Sequence, residues 1–380
     1  MTLSSHESVL AHRRIVVKAG TNVLTGRTER LDQATLASLA EQIACVRRKG
    51  AQVVLVTSGA IAAGRESLRD AGDTGVVERQ VLAAVGQGRL MHAYQELFAR
   101  HGITVAQALL TRHDVEDRQG YLNVRGTLEG LLEHGVLPVV NENDVVDTAE
   151  IGQERFGDND TLSALVANLV DADLLLLLTD TGGLFTADPH RDPSAALIER
   201  VERIDDSVLA MAEPSGSTSA GRGGMLSKLE AARRATAAGI VVVVASGAEP
   251  GVVARAAAGT SVGTLFSTNV NQMESRKRWL LSGMAEGGGQ LVVDDGAVTA
   301  LRARHGSLLP AGLRDVRGFF QRGDVVAVIT ESGEQVACGI SSYGGEDLRV
   351  LRGARSTDIT KLLGHHYGDE VIHRNNMVVL

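Results

Sequence analysis

Six short runs of β-branched and leucine side chains recur along the 380-residue chain, separated by stretches with helical periodicity. They are Ile15 to Val17, Gln52 to Thr57, Ile103 to Leu110, Val136 to Val140, Leu174 to Thr179 and Ile240 to Ala245, each ending near Gly, Ser, Asn or Asp. The clearest intervening helix places Leu36, Leu39, Ile43 and Val46 on one face. Strands that alternate with amphipathic helices are joined by right-handed crossovers. The expected fold is therefore α/β, an open and mostly parallel sheet sandwiched by helices. Ligands of such sheets bind beyond the carboxyl ends of the strands.

Composition supports this reading. Aromatic residues make up 3% of the chain and Gly numbers 43, so the apolar content is Ala, Val and Leu, a mix suited to parallel sheets packed by helices. The length exceeds that of a usual single domain, and the texture changes near residue 265. There "VGTLF" gives way to the polar "STNVNQMESRKRW" and the Gly-rich "GMAEGGGQ"; from Gln290 onward come short alternating strands with closely spaced turns. The expected division is a large α/β domain over residues 1–267, a linker over 268–289 and a small, mostly β domain over 290–380.

Net charge is −8, with both signs interspersed, and residues 290–380 carry ten basic against eleven acidic side chains. Neither is an electrostatic footprint for nucleic acid, which is not an expected partner. Cys45 and Cys338 are the two cysteines, far apart, as in a reduced protein. The N-terminus lacks a signal-peptide core and no apolar run is long enough to span a bilayer, so a soluble, cytoplasmic protein is expected and a membrane is not.

The polar residues at the strand ends suggest chemistry. Lys18 closes an apolar run just before Gly20, and no acidic residue is near it in sequence. A charge emerging from a buried strand is costly unless an anion meets it, and that anion is expected to be a ligand. In "VTSGAIAAGR", Ser58 and Gly59 open a helix whose N–H groups point at an anion, although a serine there also serves as an ordinary N-cap. In "VVNENDVVD", Asn141, Glu142, Asn143 and Asp144 follow a buried run and are suited to grip an ammonium group, or simply to make a turn. Asp158, Asn159 and Asp160 precede a helical pattern, where one acts as a cap and three exceed what capping requires. Thr179 and Asp180 end the most apolar run of the chain, and Lys228 falls in the first turn of a helix fed by a Gly-rich loop. A lysine there opposes the helix dipole and calls for a compensating anion.

No serine or cysteine triad is visible, and the eleven histidines show no metal-ligand spacing. A general base is not needed if the acceptor is a carboxylate, which with a pKa of about 4.3 is already ionised. The obstacle is then repulsion between two anions, roughly 4 kcal/mol per unit pair at about 4 Å and an effective dielectric of ~20. Positioned cations such as Lys18 and Lys228 answer it, with Asp160 and Asp180 orienting them or a hydrated Mg²⁺.

The ordered set "VVKAGTNVLTG", "VTSGAIAAGR", "LAAVGQGRL", "VVNENDVVDTAE", "FGDNDTLSA", "LLLLTDTGGLFTADP" and "GGMLSKLEAA" resembles the glutamate kinases of the amino-acid-kinase family, and the C-terminal part is similar to a PUA domain. The resemblance implies an amino-acid-kinase fold and phosphoryl transfer from ATP, with Mg²⁺, to the γ-carboxylate of L-glutamate, the first step of proline biosynthesis. It places Lys18, Lys228 and Asp160 in catalysis. Ser58, Asp144 and Asn159 fall to glutamate, where the strand-end reading adds Gly59, Asn141 and Asp158, and Lys18, Thr179, Asp180, Arg222, Gly223, Gly224, Met225, Leu226, Ser227 and Lys228 fall to the nucleotide. Magnesium is expected to be held by ATP phosphates and water. Feedback inhibition by proline, a homo-oligomer (dimer or tetramer) and delivery of a labile product to the next enzyme are further implications. Where the family usually reads "GTGGM", this chain reads "GRGGM", with Arg222 in place of a small hydroxyl residue.

Overall fold

The computed structural model describes residues 10–68, 75–146, 159–189, 191–212, 224–268, 270, 288–304 and 306–380. The chain divides into two compact units, one of Met1–Val115 with Val124–Val270, the other of Glu116–Asn123 with Asn271–Leu380.

The first unit is built on eight strands: β1 (Arg14–Ala19), β2 (Gln52–Thr57), β3 (Val105–Leu110), β4 (Leu137–Glu142), β5 (Leu174–Thr179), β6 (Arg200–Val201), β7 (Val241–Ser246) and β8 (Thr264–Phe266). They form one sheet in the order β3-β4-β2-β1-β5-β7-β8-β6. Every neighbouring pair is parallel except β7 with β8. The helices as far as Ala257 are α1 (Thr21–Leu24), α2 (Gln33–Arg48), α3 (Ala60–Arg65), α4 (Val76–Ala99), α5 (Arg112–Glu116), α6 (Arg118–Glu133), α7 (Asn159–Leu169), α8 (Asp206–Met211), α9 (Gly224–Ala237) and α10 (Val252–Ala257), of which the last residue of α5 and the start of α6 fall in the Glu116–Asn123 stretch of the second unit. The expected open α/β sheet is the fold observed.

The central strands are buried along almost their whole length because helices cover both faces. The face of α2 expected from its spacing is the one that packs: Leu36, Leu39, Ile43 and Val46 lie in a cluster with Ile15, Val17, Val53, Leu55, Leu174 and Leu176. Each such side chain contributes about 1.5–3 kcal/mol by leaving water.

Two strand limits differ from the sequence expectation for a reason that bears on function. Strand β1 continues to Ala19, so Lys18 is part of it, and β4 continues through Asn141 and Glu142, which pair with Leu109 and Leu110 of β3. Asn141 and Glu142 therefore sit within the strand and do not follow it. The two short strands β6 and β8 are not foreshadowed in the sequence, since two or three residues carry no readable period.

Helices α3 and α4 approach unusually closely. A Cβ on Gly86 would lie 1.8 Å from the Ala60 carbonyl oxygen, and one on Gly64 would lie 2.0 Å from that of Leu82. These glycines let two backbones touch.

The second unit has a five-stranded sheet in the order β10-β9-β11-β12-β13, from β9 (Gln290–Val293), β10 (Leu313–Arg317), β11 (Val325–Thr330), β12 (Gln335–Ile340) and β13 (Met377–Val379). Its own core gathers Leu291, Val293, Val326, Val328, Tyr343 and Leu348. Short helices over Asp295–Arg304, Gly345–Leu351 and Ile359–Leu363 accompany this β-rich fold. Among the described residues no helix is long and apolar enough to cross a membrane.

Candidate active site

Parallel register brings the polar residues of four neighbouring strands to one end of the sheet. Lys18 of β1 is level with Val56 of β2 and Leu177 of β5, and Val56 is level with Val140 of β4. The residues just beyond, Ser58, Asn141 and Thr179, therefore share that end.

The centre is Asp160, in the first turn of α7 and 1% exposed. One carboxylate oxygen lies 2.5 Å from the Lys18 ammonium, and the other accepts from the Lys228 ammonium at 3.0 Å and from the Ser227 hydroxyl at 2.8 Å. The Lys228 ammonium also donates to the Gly224 carbonyl at 2.9 Å. Burial alone would raise the Asp160 carboxyl. The two ammonium groups and the Ser227 hydroxyl overcome it and hold that carboxyl well below the ordinary carboxylate range.

This corrects the expectation that Lys18 waits for a ligand anion with no acid to neutralise it. The acid is Asp160, remote in sequence. The compensating anion expected for Lys228 is the same carboxylate, and Lys228 is the fifth residue of α9, just past its first turn. Two cations share one buried anion, so the cluster retains a net positive charge of one. Gly20 makes room for it, since a Cβ there would stand 3.1 Å from the Lys18 ammonium.

Ser58 is not the helix cap. That place is taken by Gly59, whose φ of +101° needs a glycine. The Ser58 hydroxyl instead accepts from the Asn159 side-chain amide at 3.2 Å, which ties the β2 turn to the start of α7. The side-chain oxygen of Asn159 is buried and has no hydrogen-bond partner among the described residues. The Asn141 side-chain amide donates to the Gln87 side-chain oxygen at 2.9 Å and its own side-chain oxygen accepts from the Glu142 N–H at 2.9 Å; the Gln87 side-chain nitrogen is buried and without a partner among the described residues. Gln87 was not singled out from sequence, although it lies in the quoted run "LAAVGQGRL". Asp144 is half-buried in the turn after β4.

Thr179 donates to Asp180 at 3.2 Å, and Asp180 also accepts from Asn22 at 3.3 Å and Arg27 at 3.1 Å. Burial acts to raise the Asp180 carboxyl, but the opposing effects, led by the Arg27 guanidinium, leave the Asp180 carboxyl below its ordinary value. The structure thus brings Asp180 to Arg27, an arginine that carries no periodic or motif signal. Gly224, Met225, Leu226, Ser227 and Lys228 open α9. Asp158, Arg222 and Gly223 lie outside the described residues. Among the described residues no group of three or more His, Cys, Asp or Glu side chains could hold a metal ion.

The chemistry available here is electrostatic. Two buried ammonium groups, fixed by a single carboxylate, face the end of a sheet where amides and hydroxyls converge, an arrangement suited to developing charge on a transferred anion.

Comparison with known proteins identifies the family. The amino acid kinase family model matches residues 13–246, and the PUA domain model matches residues 289–363. A glutamate 5-kinase of Shewanella oneidensis is 50% identical over 376 residues, covering 98% of this chain and 99% of its own. One from Herpetosiphon aurantiacus is 49% identical over 373 residues, 97% of this chain and 98% of its own. One from Dehalococcoides mccartyi is 46% identical over 375 residues, 97% and 99% of the two chains. With the family model over residues 13–246, the PUA model over residues 289–363 and relatives near 50% identical over almost the full length, the chain belongs to the amino acid kinase family, among its glutamate 5-kinases.

Proposed function

We propose that the chain transfers the γ-phosphoryl group of MgATP to the side-chain carboxylate of L-glutamate, giving L-glutamyl 5-phosphate for proline biosynthesis. The observation that carries this reading is the Asp160 carboxylate holding both Lys18 and Lys228 at the ligand end of the sheet.

A glutamate carboxylate oxygen attacks the γ-phosphorus, the bond from that phosphorus to the bridging oxygen breaks, and ADP leaves with the electron pair. No proton is removed from the acceptor, so no general base is required. Lys18 and Lys228 offset the repulsion between the approaching anions, and Asp160 keeps both amines in place without consuming their charge. Magnesium enters with the nucleotide as part of the substrate and offsets phosphate charge there.

Ser58 and Gly59 take a glutamate carboxylate. Asn141, Asp144, Asp158 and Asn159 take the remaining polar groups. The buried oxygen of Asn159, without a partner among the described residues, is an acceptor suited to the substrate's ammonium group. Thr179, Asp180 and the stretch from Arg222 to Lys228 hold the nucleotide. The same reading carries feedback inhibition by proline, a dimer or tetramer, hand-over of the acyl phosphate to the next enzyme, and a cytoplasmic location.

Hydroxylamine traps an acyl phosphate as a hydroxamate. With ATP and Mg²⁺, glutamate should give strong signal and aspartate or N-acetylglutamate little. Signal from N-acetylglutamate with none from glutamate would reject the assignment.

A further inference from the structure

Tyr94 of α4 is completely buried, hydroxyl included. It lies 2.8 Å from the Thr57 hydroxyl, and Thr57 is also completely buried. The Thr57 hydroxyl lies 3.0 Å from the Ser58 carbonyl oxygen. A carbonyl oxygen only accepts, so Thr57 must donate its single proton to Ser58, and the Tyr94 O–H must then donate to Thr57. The direction of both hydrogen bonds is thereby fixed. Burial raises the Tyr94 hydroxyl above its ordinary pKa, so it remains a donor through the working pH range.

The relay ends on the turn that the proposed function assigns to glutamate. In a trans peptide the carbonyl oxygen and the next N–H point in opposite directions. Anchoring the Ser58 carbonyl toward Thr57 turns the Gly59 N–H away from the Thr57 side. That N–H has no hydrogen-bond partner among the described residues. The remaining groups of Ser58 are also held: its N–H donates to the Ala19 carbonyl at 3.0 Å, and its hydroxyl accepts from Asn159 at 3.2 Å. Helix α4 is pressed onto α3 through Gly86, which keeps Tyr94 beneath the turn.

We infer that Tyr94 and Thr57 are positioning residues for the acceptor site: their hydroxyl relay fixes the Ser58–Gly59 peptide in the orientation that receives the acceptor carboxylate. The inference rests on the proposed function for the identity of that acceptor, but the ordering of the turn does not.

The test uses the full chain with Thr57→Val, Thr57→Ser and Tyr94→Phe. Michaelis constants for glutamate and ATP are measured, and hydrogen–deuterium exchange is followed over residues 55–60. Thr57→Val should raise KM for glutamate about tenfold while leaving KM for ATP within about twofold, since one buried hydrogen bond to the acceptor turn is lost. Tyr94→Phe should move in the same direction by a smaller factor, about threefold. Thr57→Ser keeps the donor and should restore both constants. Exchange over residues 55–60 should quicken in Thr57→Val and return to the wild-type rate in Thr57→Ser.

Equal rises in both Michaelis constants, or none in a folded variant, would overturn the inference. So would unchanged exchange over residues 55–60 in Thr57→Val. If Thr57→Val does not fold, Tyr94→Phe, which deletes one oxygen, decides by the same readings. Wild-type protein inactive on glutamate would reject the proposed substrate alone; the exchange measurement would still decide the role of the relay.

Discussion

The Lys18 ammonium on β1 and the Asp160 carboxylate on α7 stand 2.5 Å apart, although the chain forms β2, β3 and β4 between them. The Asp160 side chain is almost wholly removed from water and holds Lys228 as well. Buried ion pairs recover their desolvation cost only with good geometry and further hydrogen bonds. Here the Ser227 hydroxyl and the Gly224 carbonyl supply those bonds.

Lys228→Ala should lower kcat by about 10² to 10³ and change KM for glutamate little, because a contact that strengthens as phosphoryl charge develops acts on the transition state. Steady-state kinetics check this. An unchanged kcat removes Lys228 from catalysis.

Asp160→Asn keeps the shape and removes the charge that two buried ammonium groups share. The expected loss of stability is about 3–5 kcal/mol, read from urea unfolding, together with loss of activity. Lys18→Met in the same background should recover part of the stability but not the activity.

The pH dependence of that difference follows from Asp160, whose carboxyl falls from an ordinary 3.8 to about 2 in the folded protein. Between those values the unfolded chain binds the extra proton, so stability from this group rises with pH. The gap between wild type and Asp160→Asn should be constant above about pH 4 and shrink as pH falls from there toward about 2. Unfolding curves over that range check the slope.

Two glycines on α4 should respond oppositely to the same change. A Cβ on Gly86 would meet the Ala60 carbonyl oxygen at 1.8 Å and the Gly64 nitrogen at 2.4 Å, whereas one on Gly88 would meet nothing within 4 Å. Gly86→Ala should destabilise by about 1–3 kcal/mol or more, while Gly88→Ala should be neutral or stabilise by up to about 1 kcal/mol. Thermal melts of the two variants give the comparison.

Arg125 is a fully buried cation that ties α6 to the end of α7, through the Leu169 carbonyl and through Asp171 at 2.6 Å, with Glu129 at 2.8 Å. Arg125→Met should cost about 3 kcal/mol or more in stability and leave both Michaelis constants close to wild type. Arg125→Lys should recover only part, because one ammonium cannot reproduce the planar fork.

Much of this was legible along the chain. Local apolar runs specified the central strands, the spacing of Leu36, Leu39, Ile43 and Val46 specified the buried face of α2, and Lys18 was visible at a strand's end because its charge interrupts an apolar run. These are short-range signals: which side chains avoid water is decided within a few residues. The sequence by itself thus determined an α/β sheet and the polar loops at its strand ends. The tertiary structure alone decided that Asp160 pairs with both lysines, that β1 lies between β2 and β5, that Gly86 admits Ala60, and that Tyr94 reaches Thr57. Each is a pairing between distant segments, set by strand order and register, which follow from total burial over the whole sheet and leave no mark in the spacing of neighbouring residues.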